Sequence, residues 1–251
     1  MTLSVGVYNI LNGEDYLHYL KTKERRLVPE RFADAIKDMG LDVCALNEVR
    51  DHPALEGVCT WNRSGRVIAE RLGYTYVFAK AIDVPGGGYG NALISRYPVE
   101  NIRMIPIHIK PEDRDPNGVA RWYEDRVLLC ADIAAQDKTL TVMVTHFGLN
   151  EDEKAAAVKV VREEAEKCQN PVVFMGDLNI GEASPHYASL CSFLEDSVAV
   201  IKGSAQSFPS PEPDRRNDYL FTKGAIKVTE ASVPKVIISD HRPYVATVEL
   251  L

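Results

Sequence analysis

Residues 171–179, PVVFMGDLN, set four apolar side chains between a proline and a glycine, then release a carboxylate and an amide two positions apart. A short apolar run rich in β-branched and aromatic residues, bounded in this way, reads as a buried strand. Side chains along a strand repeat every two residues, so Asp177 and Asn179 point the same way where extended backbone persists past Gly176. A chain built on such a strand must surround it with others.

The rest of the sequence supplies them. Residues 3–9 alternate around Val5 and Val7 and end on Asn9. Residues 42–46 form a second buried strand that delivers Asn47, Glu48, Val49 and Arg50. Further strands are expected at 74–79, 91–96, 124–133, 138–146, 217–221, 226–233 and 244–250, with a hairpin joining 124–133 to 138–146. Helical spacing is rarer. Phe32, Ala35, Ile36 and Met39 share a face over 29–39, which Gly40 stops. A second helix ends over 67–72 at Gly73, and a third covers 151–168 with Ala155, Val158, Val161, Ala165 and Cys168 as its stripe. The glycine-dense PGGGYG at 85–90 lacks both common phosphate-loop patterns and feeds a strand, so it reads as a turn bringing backbone close to a substrate or a neighbouring strand. Residues 109–122 read as a long loop and the Ser/Pro-rich 203–217 as a surface loop. About ten strands with hairpin-length turns and three or four helices imply an α/β (α+β) fold of mixed, mostly antiparallel sheets stacked together with helices outside. No linker or repeat interrupts residues 1–251, which read as a single domain.

Charge and cysteine usage narrow the function classes. The 29 basic and 36 acidic residues leave a net charge of −7, which gives no positive evidence for a nucleic-acid partner, although local basic strips matter more than the sum. Arg114, Arg121 and Arg215–Arg216 are the candidates for such a strip. The five cysteines show no zinc spacing and no CxxC, as expected of reduced thiols in a cytoplasmic protein. The start of the chain lacks the features of a signal peptide, and no apolar stretch approaches the ~20 residues of a membrane span. A monomer is expected.

The informative pattern is what stands at the strand ends. Apolar runs lead directly into Asn9, Glu48, His146, and Asp177 with Asn179; Asp218 opens one strand and Asp240–His241 precedes the last. Singly, such residues are commonly turn formers. Six such sites are a different matter, because strand ends distant in sequence converge in space. Oxygen donors from Glu48, Asn9 and Asp240 suit a hard cation such as Mg²⁺ or Mn²⁺. A histidine paired with an acid, beside an Asp/Asn pair, suits activation of water against a phosphoester.

Taken in order, Tyr8-Asn9, Asn47-Glu48-Val49, Gly90-Asn91-Ala92-Leu93-Ile94-Ser95, Thr145-His146, Gly176-Asp177-Leu178-Asn179, Asn217-Asp218-Tyr219 and Ser239-Asp240-His241 resemble the motifs of the endonuclease/exonuclease/phosphatase superfamily, with its deoxyribonuclease I-like fold. The resemblance implies a four-layer αββα sandwich. It implies Glu48 as main metal ligand, with Asn9 near the metal and Asp240 a further ligand. His241 would be the catalytic imidazole, oriented by Asp218. Asp177 and Asn179 would position water and bind phosphate oxygens, and His146 would bond a non-bridging oxygen. Asn91 and Arg50 are further expected substrate contacts. Asn47 stands where glutamine is common. The histidine of THFGLN is similar to the deoxyribonuclease, sphingomyelinase and phosphatase branches rather than the abasic-site repair enzymes.

Three readings follow. The first is a Mg²⁺- or Mn²⁺-dependent hydrolase of a small or lipid-derived phosphoester, acting through water attack at phosphorus. The second is a DNA or RNA nuclease, which needs a Lys/Arg strip beside the site and steep salt dependence. The third is an inactive binding module of the same fold, disfavoured by the complete set of polar residues.

Overall fold

Alternating burial within the strands builds two sheets whose inner faces meet. The computed structural model describes residues 1–51, 63–118 and 122–251. In chain order the strands are β1 (Thr2–Asn9), β2 (Val43–Asp51), β3 (Thr75–Val84), β4 (Gly87–Ser95), β5 (Val99–Ile107), β6 (Arg126–Ala135), β7 (Lys138–His146), β8 (Val172–Asp177), β9 (Glu195–Asp196), β10 (Asp218–Lys223), β11 (Ile226–Ser232) and β12 (Tyr244–Leu250). One six-stranded sheet runs β11-β12-β1-β2-β4-β3 and the other β5-β6-β7-β8-β10-β9. Val5, Val7 and Leu93 from the first sheet and Leu129, Val144, Val173 and Met175 from the second fill the space between them.

The outer faces are covered by helices. These are α1 (Tyr16–Thr22), α2 (Pro29–Asp38), α3 (Ser64–Leu72), α4 (Glu151–Lys167) and α5 (Pro185–Cys191). Phe32 and Ile36 of α2 and Ile68 of α3 pack on Tyr8, Leu46 and Ile94 of the first sheet. Val158 and Val161 of α4 and Leu190 of α5 pack on Phe174, Tyr219 and Phe221 of the second. The order of layers is thus α-β-β-α, the expected sandwich. Among the described residues no helix is long and apolar enough to cross a membrane. Cys44, Cys130, Cys168 and Cys191 are free thiols, and Cys59 lies outside the described residues.

Three details differ from expectation. β5 was not anticipated: it is an edge strand in which eight of nine residues, from Val99 to Pro106, are partly or fully exposed and only Ile107 is buried, so it lacks the alternation that marks a strand. α1 buries no residue and α5 buries only Leu190, so neither carries a readable stripe. In α4 the inward small residue is Ala157, and Ala155 is exposed.

Strand direction gathers the polar ends. β1 and β2 are parallel, as are β7 and β8, so Asn9, Glu48, His146 and Asp177 come out at the same edge of the sandwich. β10 runs antiparallel to β8 with Asp218 opposite Asp177, and β12 antiparallel to β1, so the residues that begin these strands return to that edge. The close approach of β7 and β8 depends on Gly176, where an added Cβ would stand 2.0 Å from the Thr145 carbonyl oxygen. Gly90 lies within β4, not in the expected turn, which shortens to 85–86; its backbone still meets a neighbouring strand closely, with an added Cβ 2.1 Å from the Ala79 carbonyl oxygen of β3. Gly176→Ala is expected to cost about 3 kcal/mol, read as a fall of roughly 6–12 °C in a thermal unfolding scan. An unchanged melting temperature would show that β7 can move aside freely.

Candidate active site

A bulge sets the first part of the site. Leu46 pairs with Ala92 and Val49 with Gly90, so Asn47 and Glu48 together face the single residue Asn91. Glu48 takes up the extra length with a φ of 56°, in the left-handed region that side-chain-bearing residues seldom occupy. The bulge sends its two residues to different tasks. Asn47, fully buried, donates through Nδ2 to Asn91 Oδ1 (2.7 Å) and the Thr145 carbonyl (3.1 Å), and its Oδ1 accepts from the Asp177 amide (2.9 Å). It therefore ties the two sheets together directly beneath Asp177. Glu48 turns into a cleft of about 260 Å³ that also exposes Glu14, Arg50, Tyr89 and Glu124.

Asn9 links this part to the next. Its Nδ2 donates to Glu48 Oε1 at 2.9 Å and to Asp177 Oδ2 at 3.0 Å, while its Oδ1 accepts from the Leu11 amide at 3.1 Å. The Leu11 bond fixes the orientation of the side-chain amide, so Asn9 meets Glu48 as a donor.

The second part is a buried imidazole between two carboxylates. His241 Nδ1 is 2.8 Å from Asp218 Oδ2, and its Nε2 is 3.5 Å from Asp177 Oδ2. The same Asp218 oxygen accepts from Ser207 Oγ at 2.6 Å, and the Phe208 ring lies 4.8 Å from the imidazole. Burial disfavours the imidazolium, but the Asp218 and Asp177 carboxylates outweigh it and raise the His241 pKa to about 10. Burial, reinforced by Asp218 and Glu48, raises that of Asp177 against the opposing pull of His241. The 203–217 segment is thus more than the expected surface loop: Ser207 and Ser210 are fully buried, with Ser210 Oγ donating to the Ser239 carbonyl.

His146 forms the third part. Its Nε2 lies 3.1 Å from Asn179 Nδ2 and 3.5 Å from Asp177 Oδ2, and its Nδ1 faces Arg126 Nη1 at 3.5 Å. Burial and the neighbouring Arg126 charge push its pKa well down, so the ring is neutral. Asn179 Nδ2 is an amide nitrogen that only donates, so at 3.1 Å the Nε2 of the neutral ring accepts from it. Asn179, with a φ of 50°, is fixed by donation to the Phe147 carbonyl (3.2 Å) and by acceptance from Asn217 Nδ2 (3.3 Å).

The expected residues therefore fall into two groups. Glu48, Asn9, Asp177, Asn179, His146, Asp218 and His241 form one continuous hydrogen-bonded and charged cluster. Asp240, next to His241, raises the Glu48 pKa through its charge, second only to burial. Arg50 lines the Glu48 cleft, and its buried Nε has no hydrogen-bond partner among the described residues. Asn91 stands back: it is 2% exposed, and both ends of its amide are engaged, with Asn47 and with the Val127 carbonyl at 3.2 Å. Arg121 lies outside the described residues. Sequence reasoning missed Arg126, Ser207 and Phe208, whose relation to the site exists only in three dimensions.

The donor set is suited to a divalent cation. Glu48, Glu14 and Glu124 enter one cleft, Asp240's charge bears on both Glu48 and Glu14, and among the described residues Glu48 accepts its side-chain hydrogen bond from Asn9. Such a concentration of hard oxygen donors favours a bound positive charge. A separate trio, Asp177, Asp218 and His241, has potential ligand atoms within 4.8 Å of one another.

Comparison with other proteins bears on the family and the fold. The model of the Endonuclease/Exonuclease/phosphatase family matches residues 6–241. The protein named Uncharacterized protein YbhP, from Escherichia coli (strain K12), is 25% identical over 240 residues, 90% of each chain. Among solved structures, the endonuclease/exonuclease/phosphatase from Beutenbergia cavernae DSM 12333 superposes with a TM-score of 0.79 at 23% identity, over 99% of this chain and 72% of its own. The mannosyl-6-phosphatase of Bacteroides thetaiotaomicron VPI-5482 gives a TM-score of 0.76 at 16% identity, over 99% of both chains. At these identities the likeness to solved structures concerns the fold.

Proposed function

Since the chain belongs to the endonuclease/exonuclease/phosphatase family, whose members hydrolyse phosphoester bonds, we propose that it is a Mg²⁺- or Mn²⁺-dependent phosphoesterase acting by attack of water at phosphorus on a small or lipid-derived substrate. The observation that carries this reading is the chain of contacts Asp218–His241–Asp177–Asn9–Glu48, which connects a carboxylate-paired imidazole to an oxygen-rich cation seat through one asparagine.

Glu48 and Asp240 are the residues proposed to hold the metal, with Asn9 fixing the Glu48 carboxylate. The trio at Asp177 is a less suitable seat, because Asp218 and His241 already bond one another at 2.8 Å. A divalent ion, when bound, would neutralise charge on the phosphoryl and leaving oxygens. The chain's own residues do the rest. Asp177 and Asn179 orient the attacking water. His146, neutral and held beside Asn179, lies against a non-bridging oxygen. His241, with Nδ1 held by Asp218, directs Nε2 at the reacting group, and Arg50, whose Nε has no hydrogen-bond partner among the described residues, offers its guanidinium to a phosphate oxygen. These are positioning and electrostatic contributions, which dominate phosphoryl transfer.

The test is an assay of chelator-stripped protein with bis-p-nitrophenyl phosphate, a panel of phosphomonoesters, sphingomyelin and plasmid DNA. Turnover is expected on adding back Mg²⁺ or Mn²⁺ and not in EDTA. Undiminished activity in EDTA, or no hydrolysis of any ester, would refute the reading.

A further inference from the structure

Asp218 holds the imidazole by a single oxygen. Its Oδ2 lies 2.8 Å from His241 Nδ1 and 2.6 Å from Ser207 Oγ, whereas its Oδ1 is buried and has no hydrogen-bond partner among the described residues. A carboxylate bonded to the imidazole alone could turn about its own axis and take the ring with it. Ser207 supplies the second fixed point, which decides which oxygen faces the ring and from what direction.

The direction of the Ser207 bond follows from its partners. A hydroxyl has one hydrogen to give and two lone pairs. Ser207 Oγ accepts from the Asn217 and Asp218 amides, each at 3.3 Å, so its hydrogen goes to Asp218 Oδ2. The residue is fully buried, and its backbone is tied on both sides. Its amide donates to the Arg215 carbonyl at 2.9 Å, and its carbonyl accepts at 2.8 Å from the amide of Arg242, the residue after His241. Three positions on, the Ser210 amide and hydroxyl donate to the Asp240 and Ser239 carbonyls. Residues 207–210 are thus bonded along 239–242, so the hydroxyl that holds Asp218 and the chain that carries His241 keep one spacing. Phe208 closes one face of the imidazole at 4.8 Å and is itself covered by Arg215 at 4.9 Å.

We propose that Ser207 is a positioning residue of the active site: its hydroxyl sets the Asp218 carboxylate and, through it, the aim of His241 Nε2. The proposal rests on the phosphoesterase reading and deepens it, because it brings into the reaction a residue that touches neither the substrate nor the cation seat.

The test measures kcat and KM for bis-p-nitrophenyl phosphate with Mg²⁺. Ser207→Ala, checked for native circular dichroism, is expected to lower kcat by about tenfold with KM little changed, as for a group that orients a reacting side chain. In a His241→Ala background the carboxylate has no ring to aim, so the same substitution should change kcat by less than about twofold. A merely structural loss would be the same in both backgrounds. Should Ser207→Ala fail to fold, Ser207→Cys is nearly the same size and keeps a weak S–H donor, and a loss of about threefold is read by the same comparison. An unchanged kcat in a folded variant, a rise in KM that accounts for the loss, or equal losses in the two backgrounds would overturn the proposal and leave the phosphoesterase reading standing. No hydrolysis by the wild-type protein of this or any other phosphoester would overturn both.

Discussion

Glu48→Ala is expected to lower metal-dependent turnover by about a thousandfold or more, equivalent to ~4 kcal/mol of transition-state stabilisation, and to abolish saturable Mg²⁺ or Mn²⁺ binding in calorimetry. The reason is local. Glu48 contributes the carboxylate at the centre of the proposed cation seat, and its side chain is not what holds the bulge in the core, since its neighbours Asn47 and Val49 carry the buried contacts. The same geometry separates function from stability. At a φ of 56° a side-chain-bearing residue costs roughly 1–2 kcal/mol, which glycine relieves at the expense of a freer unfolded chain. Glu48→Gly should therefore melt no lower than wild type without metal, while losing the rise in melting temperature that metal gives the wild type by selective binding to the folded state. Retained turnover in either variant would remove Glu48 from the site, and a large fall in metal-free stability would make its role structural.

The part of this arrangement legible in sequence was the part written in contiguous residues. A buried strand must end, and at this sheet edge it ends on a side chain that reads as chemistry: Asn9, His146, Asp177, Asp218. The stacking of sheets followed from apolar runs too short and too closely spaced for repeated crossover helices. Illegible elements had little core to bury. β5 bends at the irregularity between Glu100 and Arg103, includes Pro106, and leaves Ile102 and Met104 nearly half exposed. The Ser184–Pro185 pair at the start of α5 was a readable N-terminal signal, with Ser184 accepting from the His186 amide. Arg126, Ser207 and Phe208 could not be read at all. An arginine at the start of a strand is unremarked until the fold sets it against His146, and a serine in a proline-rich segment reads as loop until its hydroxyl meets Asp218. Their information is in the partner, which chain order does not reveal.

That partnership yields the second large effect. His241→Ala should reduce kcat by about a thousandfold or more, with a smaller effect on KM, because the imidazole is proposed to act on the reacting group rather than on the bound ground state. Asp218 has a different claim. Its Oδ2 takes both the His241 Nδ1 bond at 2.8 Å and the Ser207 hydroxyl at 2.6 Å, so it reaches the reaction only through the ring it holds. Asp218→Asn keeps the shape but exchanges a charged acceptor for an amide, which weakens the hold on Nδ1 and the preference for imidazolium. A loss of about a hundredfold is expected from charge-assisted hydrogen bonds of this kind. Residues that act as a unit are not additive. Adding Asp218→Asn to His241→Ala should therefore cost little more than His241→Ala alone, and single-turnover rates on bis-p-nitrophenyl phosphate would measure this. If the two losses multiply instead, Asp218 acts on the substrate independently of His241, and the orienting role assigned to it is wrong.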